Sequence, residues 1–251
     1  MSRLALVTGG ARGIGAEICR RLAADGMRVA VTDVDDDEAR EVAQSLRGEG
    51  HSAWRMDVSD EQEVDAVFAR IEAEQGPVAV LVCNAGLLIL HDGQRLPIAE
   101  MGLAEWERTH AVNTRGTFLC ARAYMKARTS KPTAHGRIIT FSSCAAQLGG
   151  YRASAAYISS KSALLGFTKA LAREAAPLGI TANGIAPGMI DTAMMRLSMA
   201  PGQEQQAAVN VPLGRLGVPR DIAAVVSFLV SEDACYVTGT MNDVNGGYRM
   251  Q

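Results

Sequence analysis

The sequence lacks most of the features that would point to a charged, metallic or membranous partner. Its 251 residues carry a formal net charge of −2 and a pI of about 6.1. That balance excludes electrostatic binding to nucleic acid or to an anionic membrane. Acidic and basic residues are interspersed, apart from the short acidic run Asp33 to Glu38. The only four histidines (His51, His91, His110, His135) have no metal-ligand spacing, so neither a metal site nor a histidine base is expected. The five cysteines (Cys19, Cys83, Cys120, Cys144, Cys235) are odd in number, scattered and without a Cys-x-x-Cys pair. They read as reduced, mostly buried thiols. No apolar stretch approaches the length needed to span a bilayer. The apolar run near the N-terminus is too short for a signal-peptide core and ends in glycines. These absences give the cytoplasm as the expected address. With no repeat, low-complexity tract or linker, residues 1–251 are expected to form a single domain.

What the sequence does have is a regular alternation of short apolar runs and amphipathic stretches. Strands are expected at Leu4 to Thr8, Val29 to Thr32, Ala53 to Met56, Val78 to Cys83, Arg137 to Ser142, Ile180 to Ile185 and Thr240 to Val244. Helices are expected at Gly13 to Gly26, Asp36 to Gly48, Glu61 to Glu74, Leu103 to Lys126, Ala155 to Ala176 and Pro219 to Val230. Strands that are apolar throughout, joined by amphipathic helices, imply a parallel sheet covered on both faces. The fold class is therefore α/β, a Rossmann-like doubly wound sheet whose ligand crevice lies at the carboxyl ends of the strands. The rhythm breaks at Met189 to Pro212, which holds Met194, Met195, Met199 and Pro201-Gly202 before a polar run through Gln203, Gln205 and Gln206. A long excursion after a strand end reads as a substrate lid, and methionines suit an adaptable apolar wall.

The first strand runs into Thr8-Gly9-Gly10-Ala11-Arg12-Gly13-Ile14-Gly15. Glycines are needed where backbone must turn tightly and approach a pyrophosphate, and the following helix offers free N–H groups to its phosphates. No Lys-Ser or Lys-Thr follows Gly15, so this is not a P-loop. Asp33 ends the second strand, where a carboxylate can accept hydrogen bonds from the adenine ribose and repel a 2′-phosphate. It favours NAD. Arg12 is the contrary signal, because a cation in the turn could reach the 2′-phosphate of NADP. Asp33 could also serve only as a turn or cap residue among its acidic neighbours.

Tyr157 and Lys161 are four residues apart on a helical stretch and share one face. A phenol ordinarily titrates near about 10, and a nearby ammonium favours the phenolate. Such a pair can pass a proton to or from an alcohol oxygen. Ser142 and Ser143 stand at the end of the preceding strand, where a hydroxyl could hold a substrate oxygen or simply cap a turn. Asn113 falls in the middle of an expected helix, a local misfit that marks function or a kink.

Together these residues resemble the short-chain dehydrogenase/reductase family over essentially the whole chain. The resemblance rests on Thr8-Gly9-x-x-x-Gly13-Ile14-Gly15, Asp57-Val58, Asn84-Ala85-Gly86, Asn113, Ser143, Tyr157-x-x-x-Lys161 and Pro187-Gly188 with Thr192. It implies a nicotinamide-dependent oxidoreductase that interconverts a secondary alcohol and a ketone. Tyr157 would be the acid/base and Lys161 would lower its pKa and hold the nicotinamide ribose. Ser143 would orient the carbonyl, and Asn113 would hold a water of a proton relay. Asp57 and Val58 would lie near the adenine, with Asn84, Ala85 and Gly86 lining the adenosine side. Ile190 and Thr192 would contact the nicotinamide carboxamide. Ser143 lies one residue further from Tyr157 than is usual, with Cys144 at the usual spacing, and Cys83 replaces a common asparagine. Trp54 has no family role and is expected to pack.

Three readings of function follow. The first is an NAD-preferring enzyme of secondary alcohols and ketones. The second is an NADPH-dependent reductase of 3-oxoacyl thioesters carried on acyl carrier protein or CoA, which the C-terminal half resembles in Leu171-Ala172-Arg173-Glu174 and Asn245-Gly246-Gly247. There Arg173 would help dock an acidic carrier, with Arg128 or Lys131 replacing a basic residue absent at Ala134. The third is a non-catalytic nicotinamide sensor, against which the complete Asn113, Ser143, Tyr157, Lys161 set argues. The resemblance also implies a homotetramer, for which Ala163, Leu164, Phe167 and Leu171 suit either an intersubunit face or the core. His91, Gln94 and Met195 are candidates for the substrate pocket.

Overall fold

The computed structural model of the protein describes residues 2–199 and 202–250. One seven-stranded parallel sheet organises the chain, in the order β3-β2-β1-β4-β5-β6-β7. The first half runs β1 (Leu4–Thr8), α1 (Gly13–Ala24), β2 (Arg28–Asp33), α2 (Asp36–Ser45), β3 (Ser52–Arg55), α3 (Glu61–Gln75) and β4 (Val78–Cys83). The second half begins with α4 (Leu103–His110), α5 (Thr117–Ser130), β5 (Arg137–Phe141), α6 (Cys144–Leu148) and α7 (Ala155–Ala175). It ends with β6 (Thr181–Pro187), α8 (Ala193–Arg196), α9 (Glu204–Ala208), α10 (Pro219–Val230) and β7 (Met241–Val244). The chain winds outward from β1 to β3, then returns to β4 and winds the other way. Strand order therefore reverses between β1 and β4, and the crevice opens at the carboxyl ends of those two strands.

The expected alternation holds, with shifted ends. Helix α1 stops at Ala24 because Gly26, at φ +85°, turns the chain into β2. Helix α2 stops at Ser45 rather than Gly48. Beyond it Gly48 and Gly50 both take positive φ. Strand β3 covers Ser52–Arg55, and Met56 N–H instead donates to the Asp33 carbonyl at 2.7 Å. Strand β5 ends at Phe141, which leaves Ser142 and Ser143 just beyond it.

The largest departure is the expected helix over Leu103 to Lys126. It divides into α4 and α5, joined by a π-helical turn over Ala111–Gly116. Asn113 lies inside that turn, fully buried. Thr117 Oγ1 donates to the Asn113 carbonyl at 2.9 Å, and Thr114 Oγ1 reaches across to the Ser160 carbonyl of α7 at 2.9 Å. Thr117 thus bonds the turn's own backbone, and Thr114 ties the turn to α7. Such turns within α-helices are frequently found at functional sites.

Two apolar layers flank the sheet. Ile18, Leu22, Val226 and Leu229 from α1 and α10 pack on one face, with Val7, Val31 and Ile139 from the strands. On the other face Val64, Phe68 and Ile71 of α3 meet Leu119 and Tyr124 of α5 and Leu171 of α7. Leu164 and Leu171 are buried and Ala163 is exposed, while Phe167 is half-buried and packs against this layer. Trp54 has the expected packing role: its Nε1 donates to Ser52 Oγ at 2.7 Å and Arg70 lies over its ring. Four cysteines are buried and Cys235 is exposed. Among the described residues no helix is long and apolar enough to cross a membrane.

Candidate active site

The glycine turn after β1 fits a dinucleotide by shape and by polarity. Gly9 takes φ +63°, and a Cβ there would lie 2.8 Å from the Ala85 Cα. A Cβ on Gly15 would lie 1.9 Å from the Gly9 carbonyl oxygen, so the first turn of α1 can sit this close to the loop only through glycine. Asn84 and Ala85, at the end of β4, hold the loop in place. Asn84 Nδ2 donates to the Thr8 and Gly9 carbonyls at 3.1 and 2.8 Å, and Ala85 N–H donates to Thr8 Oγ1 at 3.1 Å. Thr8 is a supporting residue that sequence reasoning had left unassigned.

The start of α1 is unlike that of its neighbours. Side chains of Asp35, Asp60 and Ser154 cap α2, α3 and α7, whereas Arg12 at the N-cap of α1 makes no cap bond and the first turn holds no acid. Its N–H groups therefore remain available for phosphate oxygens. Gly13, at φ +54°, faces the Thr192 methyl, so the loop after β6 reaches the same turn. Ile14 is half-buried against the core below.

Asp33 lies at the end of β2 with its side chain turned into this cradle. One carboxylate oxygen accepts from Ala11 N–H at 3.1 Å and the other from Asp35 N–H at 3.2 Å. It is thus both a turn residue and a fixed negative charge beside the glycine loop. Arg12 is exposed, with no ion pair among the described residues. Asp57 accepts from Ser59 N–H and Oγ at 2.9 and 2.7 Å. Val58 packs against Gly116 of the π-helical turn, where a Cβ would lie 2.7 Å from Val58 Cγ2.

The expected catalytic residues converge at the ends of β4 and β5. Ser154 caps α7 by accepting from Tyr157 N–H at 3.3 Å, which fixes the first turn of that helix. Ser142 and Ser143 take separate tasks. Ser142 Oγ donates to the Lys161 carbonyl at 2.8 Å, while Ser143 caps α6 by accepting from Ala145 N–H at 3.2 Å, with its hydroxyl beside the Tyr157 phenol. Burial pushes that phenol above its ordinary pKa, and the Ser143 hydroxyl opposes the shift. Cys144, at the competing spacing, is a buried thiol pushed up to about 11 by burial.

Lys161 is 5% exposed and its Nζ donates to the Phe141 carbonyl at 2.8 Å. Burial lowers its pKa to about 8, with Cys83 opposing. Its ammonium is held by the strand end, one helical turn from the phenol. Above it a Cβ on Gly86 would lie 3.2 Å from Lys161 Nζ and 3.3 Å from Asn113 Oδ1. Asn113 Oδ1 accepts from Leu87 N–H at 2.8 Å, and its Nδ2 donates to the Leu87 carbonyl and to Ser160 Oγ, both at 3.0 Å. The π-helical turn therefore clamps the backbone after Gly86 over the lysine.

Beyond this cluster, Gly188 N–H donates to the Val244 carbonyl at 3.0 Å just after Pro187, and Ile190 is buried beside Gly217. Thr192 caps α8 by accepting from Met195 N–H at 3.3 Å. The segment from Met189 to Pro212 is anchored at one end by Asp191 N–H to Gly217 O (2.8 Å) and at the other by Leu213 N–H to Gly246 O (3.1 Å). Between these anchors lie α8 and α9; Pro201 lies outside the described residues. A cleft of about 410 Å³ opens beside it, lined by Leu87, Leu88, Ile89, Leu90, Arg108 and Leu197 among others. Of the other pocket candidates, His91 pairs with Glu105 at 2.7 Å. Arg128 does not serve a carrier-docking surface. It is 1% exposed, ion-paired to Glu72 and bonded to the Val78 carbonyl. A polar identity had suggested the surface, but the guanidinium closes the base of β4.

A family model described as enoyl-(acyl carrier protein) reductase matches residues 9–249. The chain belongs to the short-chain dehydrogenase/reductase family. It is 38% identical to the 3-oxoacyl-[acyl-carrier-protein] reductase FabG of Escherichia coli over 248 residues, covering 99% of this chain and 98% of that protein. It is also 38% identical to an acetoacetyl-CoA reductase of Rhizobium meliloti over 247 residues, 98% of each. Among solved structures, a blue fluorescent protein from a metagenomic library, in complex with NADPH, superposes with a TM-score of 0.87 at 40% identity and covers 99% of this chain and 98% of its own. As a member of this family the protein is an NAD(P)-dependent oxidoreductase acting on a carbonyl or CH–OH group.

Proposed function

We propose that the protein reduces the 3-keto group of an acyl thioester to a secondary alcohol, using NADPH. The observation that carries this reading is full-length similarity to two reductases named for 3-oxoacyl and acetoacetyl thioesters. The leucine-lined cleft beside the lid suits the extended arm of such a substrate. Lys131 and Arg173 are exposed and would meet an acidic carrier. The segment from Met189 to Pro212 would act as the lid.

The reduced nicotinamide, when bound, supplies the hydride. Gly9, Gly13, Ile14 and Gly15 would carry the pyrophosphate, with Asp33, Asp57, Val58, Asn84, Ala85 and Gly86 on the adenosine side. Pro187, Gly188, Ile190 and Thr192 would hold the nicotinamide end. Ser143 donates to the substrate carbonyl and fixes it beside Tyr157. The Tyr157 phenol gives its proton to the developing alkoxide, and burial keeps it protonated until then. Lys161 places a positive charge one turn away and would hold the nicotinamide ribose. Asn113 fixes the Leu87 backbone over Lys161 and would position the water through which the proton is replaced. The assembly is a homotetramer in this reading, with exposed Phe118 stacked edge-to-face on Phe167 at 6.4 Å as part of its contact face.

One observation favours a second reading. The buried Asp33 carboxylate opposes a 2′-phosphate, which suits an NAD-linked enzyme of secondary alcohols. The test is NADPH and NADH consumption with acetoacetyl-CoA and with simple ketones and alcohols. Thioester reduction at least about tenfold more efficient than that of any simple ketone supports the proposal. Turnover confined to simple alcohols with NAD overturns it.

A further inference from the structure

Gln147 is a polar side chain that the chemistry above does not use. It lies on α6, four residues after Ser143, and residues at this spacing share a helix face. Its Oε1 is shut off from solvent and has no hydrogen-bond partner among the described residues. Buried polar groups are otherwise almost always paired, because an unpaired one costs about 1–3 kcal/mol. Most other polar side chains around the site are accounted for. Ser142 is bonded to the Lys161 carbonyl, Ser143 to Ala145 N–H, Asn113 to Leu87, and Ser162 to the Ala146 carbonyl.

The surroundings of α6 place it beside the crevice. Arg95, from the segment after β4, donates to the Gly150 carbonyl at 3.4 Å. Arg152 donates to the Ser198 carbonyl beyond α8 at 3.2 Å. The stretch from α6 to Arg152 is therefore tied on one side to the segment that lines the leucine-rich cleft and on the other to the lid. Elsewhere α6 is tied to α7, where Ser162 Oγ donates to the Ala146 carbonyl at 3.0 Å. An unpaired carboxamide on the Ser143 side has a substrate as its natural partner.

From these observations we infer that Gln147 is a specificity-determining residue that hydrogen-bonds a second oxygen of the substrate, near the ketone held by Ser143. This rests on the thioester reading, in which that oxygen is the thioester carbonyl. Its oxygen is the buried end of the carboxamide, so the NH₂ group is the end that would donate to the thioester carbonyl. Two hydrogen bonds, one to each oxygen, would recognise a 1,3-dicarbonyl and discriminate against an isolated ketone. A site built to bond a polar group rejects analogues that lack it.

The test compares two matched probes, the N-acetylcysteamine thioester of 3-oxobutanoate and the 3-oxobutyl thioether of N-acetylcysteamine, in which a methylene replaces the second carbonyl. The parent enzyme is measured beside Gln147→Met, which keeps length but cannot hydrogen-bond well, and Gln147→Glu, whose ionised carboxylate only accepts. The expected result is that the parent favours the thioester and that both variants lose about 10–100-fold in kcat/KM on it. On the thioether they should stay within about threefold of the parent, which also reports an intact fold. If the parent favours the thioester and the variants keep that preference, or fall equally on both probes, the role given to Gln147 is wrong and the thioester reading stands. If the parent itself shows no preference for the thioester, the thioester reading fails, and with it the ligand assigned to Gln147.

Discussion

The ammonium of Lys161 donates to the carbonyl of Phe141 at 2.8 Å from a side chain that is almost wholly shut off from water. Burial lowers its pKa to about 8. In the reductive direction kcat/KM reports the free enzyme. It should be level through neutral pH, where the Tyr157 phenol keeps its proton, and fall above pH 8 or so as Lys161 loses its charge. Lys161→Met should lose about a hundredfold or more in kcat/KM together with this alkaline limb.

The same lysine shapes stability. Its folded pKa lies below the unfolded value of about 10.4, so the unfolded chain binds the proton more tightly. Its contribution to stability is greatest above the unfolded pKa and is lost as pH falls through about 8. Denaturant titrations should show stability contributed by this group rising between those two values by roughly 3 kcal/mol. Lys161→Met should flatten that rise. An unchanged slope would mean that Lys161 titrates normally in the fold.

Asp33 and Arg12 oppose each other at the adenosine end. Removing the fixed carboxylate with Asp33→Ser should shift the ratio of NADPH to NADH affinity toward NADPH by about 10–100-fold, read by nicotinamide fluorescence. Arg12→Ala should weaken NADPH and leave NADH within about twofold. Asp33→Ser should also cost about 1–3 kcal/mol of stability, because the carboxylate accepts from Ala11 N–H and Asp35 N–H.

Gly15→Ala would put a Cβ 1.9 Å from the Gly9 carbonyl. Neither atom can yield without moving the glycine turn away from Asn84. The variant should lose both cofactors together and be destabilised by about 1–3 kcal/mol or more, seen as a lowered Tm. Gly166→Ala, with nothing within 4 Å of the added carbon, is the control and should keep its cofactor affinity.

Phe118 and Phe167 meet edge-to-face on the outer side of α5 and α7. Phe118→Glu with Phe167→Glu should convert a tetramer into smaller species on size exclusion with light scattering. A parent that elutes as a 26.6 kDa monomer would contradict the assembly proposed.

Most of the fold was legible because its signals are local. Periodicity marks the longer helices and apolar runs mark the inner strands. Gly9, Gly13 and Gly15 announce a turn whose reason is close approach, and the Tyr157–Lys161 spacing survives because a long helix carries both. Apart from the family resemblance, Asn113 was legible as a misfit. Its π-helical turn depends on Leu87 and Ser160, which are remote in sequence. Arg128 misled because a guanidinium reads as surface, while its burial depends on Glu72 and the Val78 carbonyl being brought to it. Helices of five residues such as α6 and α9 carry too little period to be seen. Gln147 was missed for that reason. Which of Ser142 and Ser143 stands beside the phenol is not a local signal: Ser142 turns to the Lys161 carbonyl, and Ser143 caps α6 near Tyr157.

The central claim is that Tyr157 supplies the proton in a hydride transfer at a ketone. Its most direct test is Tyr157→Phe, measured for cofactor binding by nicotinamide fluorescence and for turnover of acetoacetyl-CoA in the same preparation. Cofactor affinity should stay within about threefold of the parent, and turnover should fall by at least about a hundredfold. A variant that binds cofactor and reduces the ketone at the parental rate would contradict the claim.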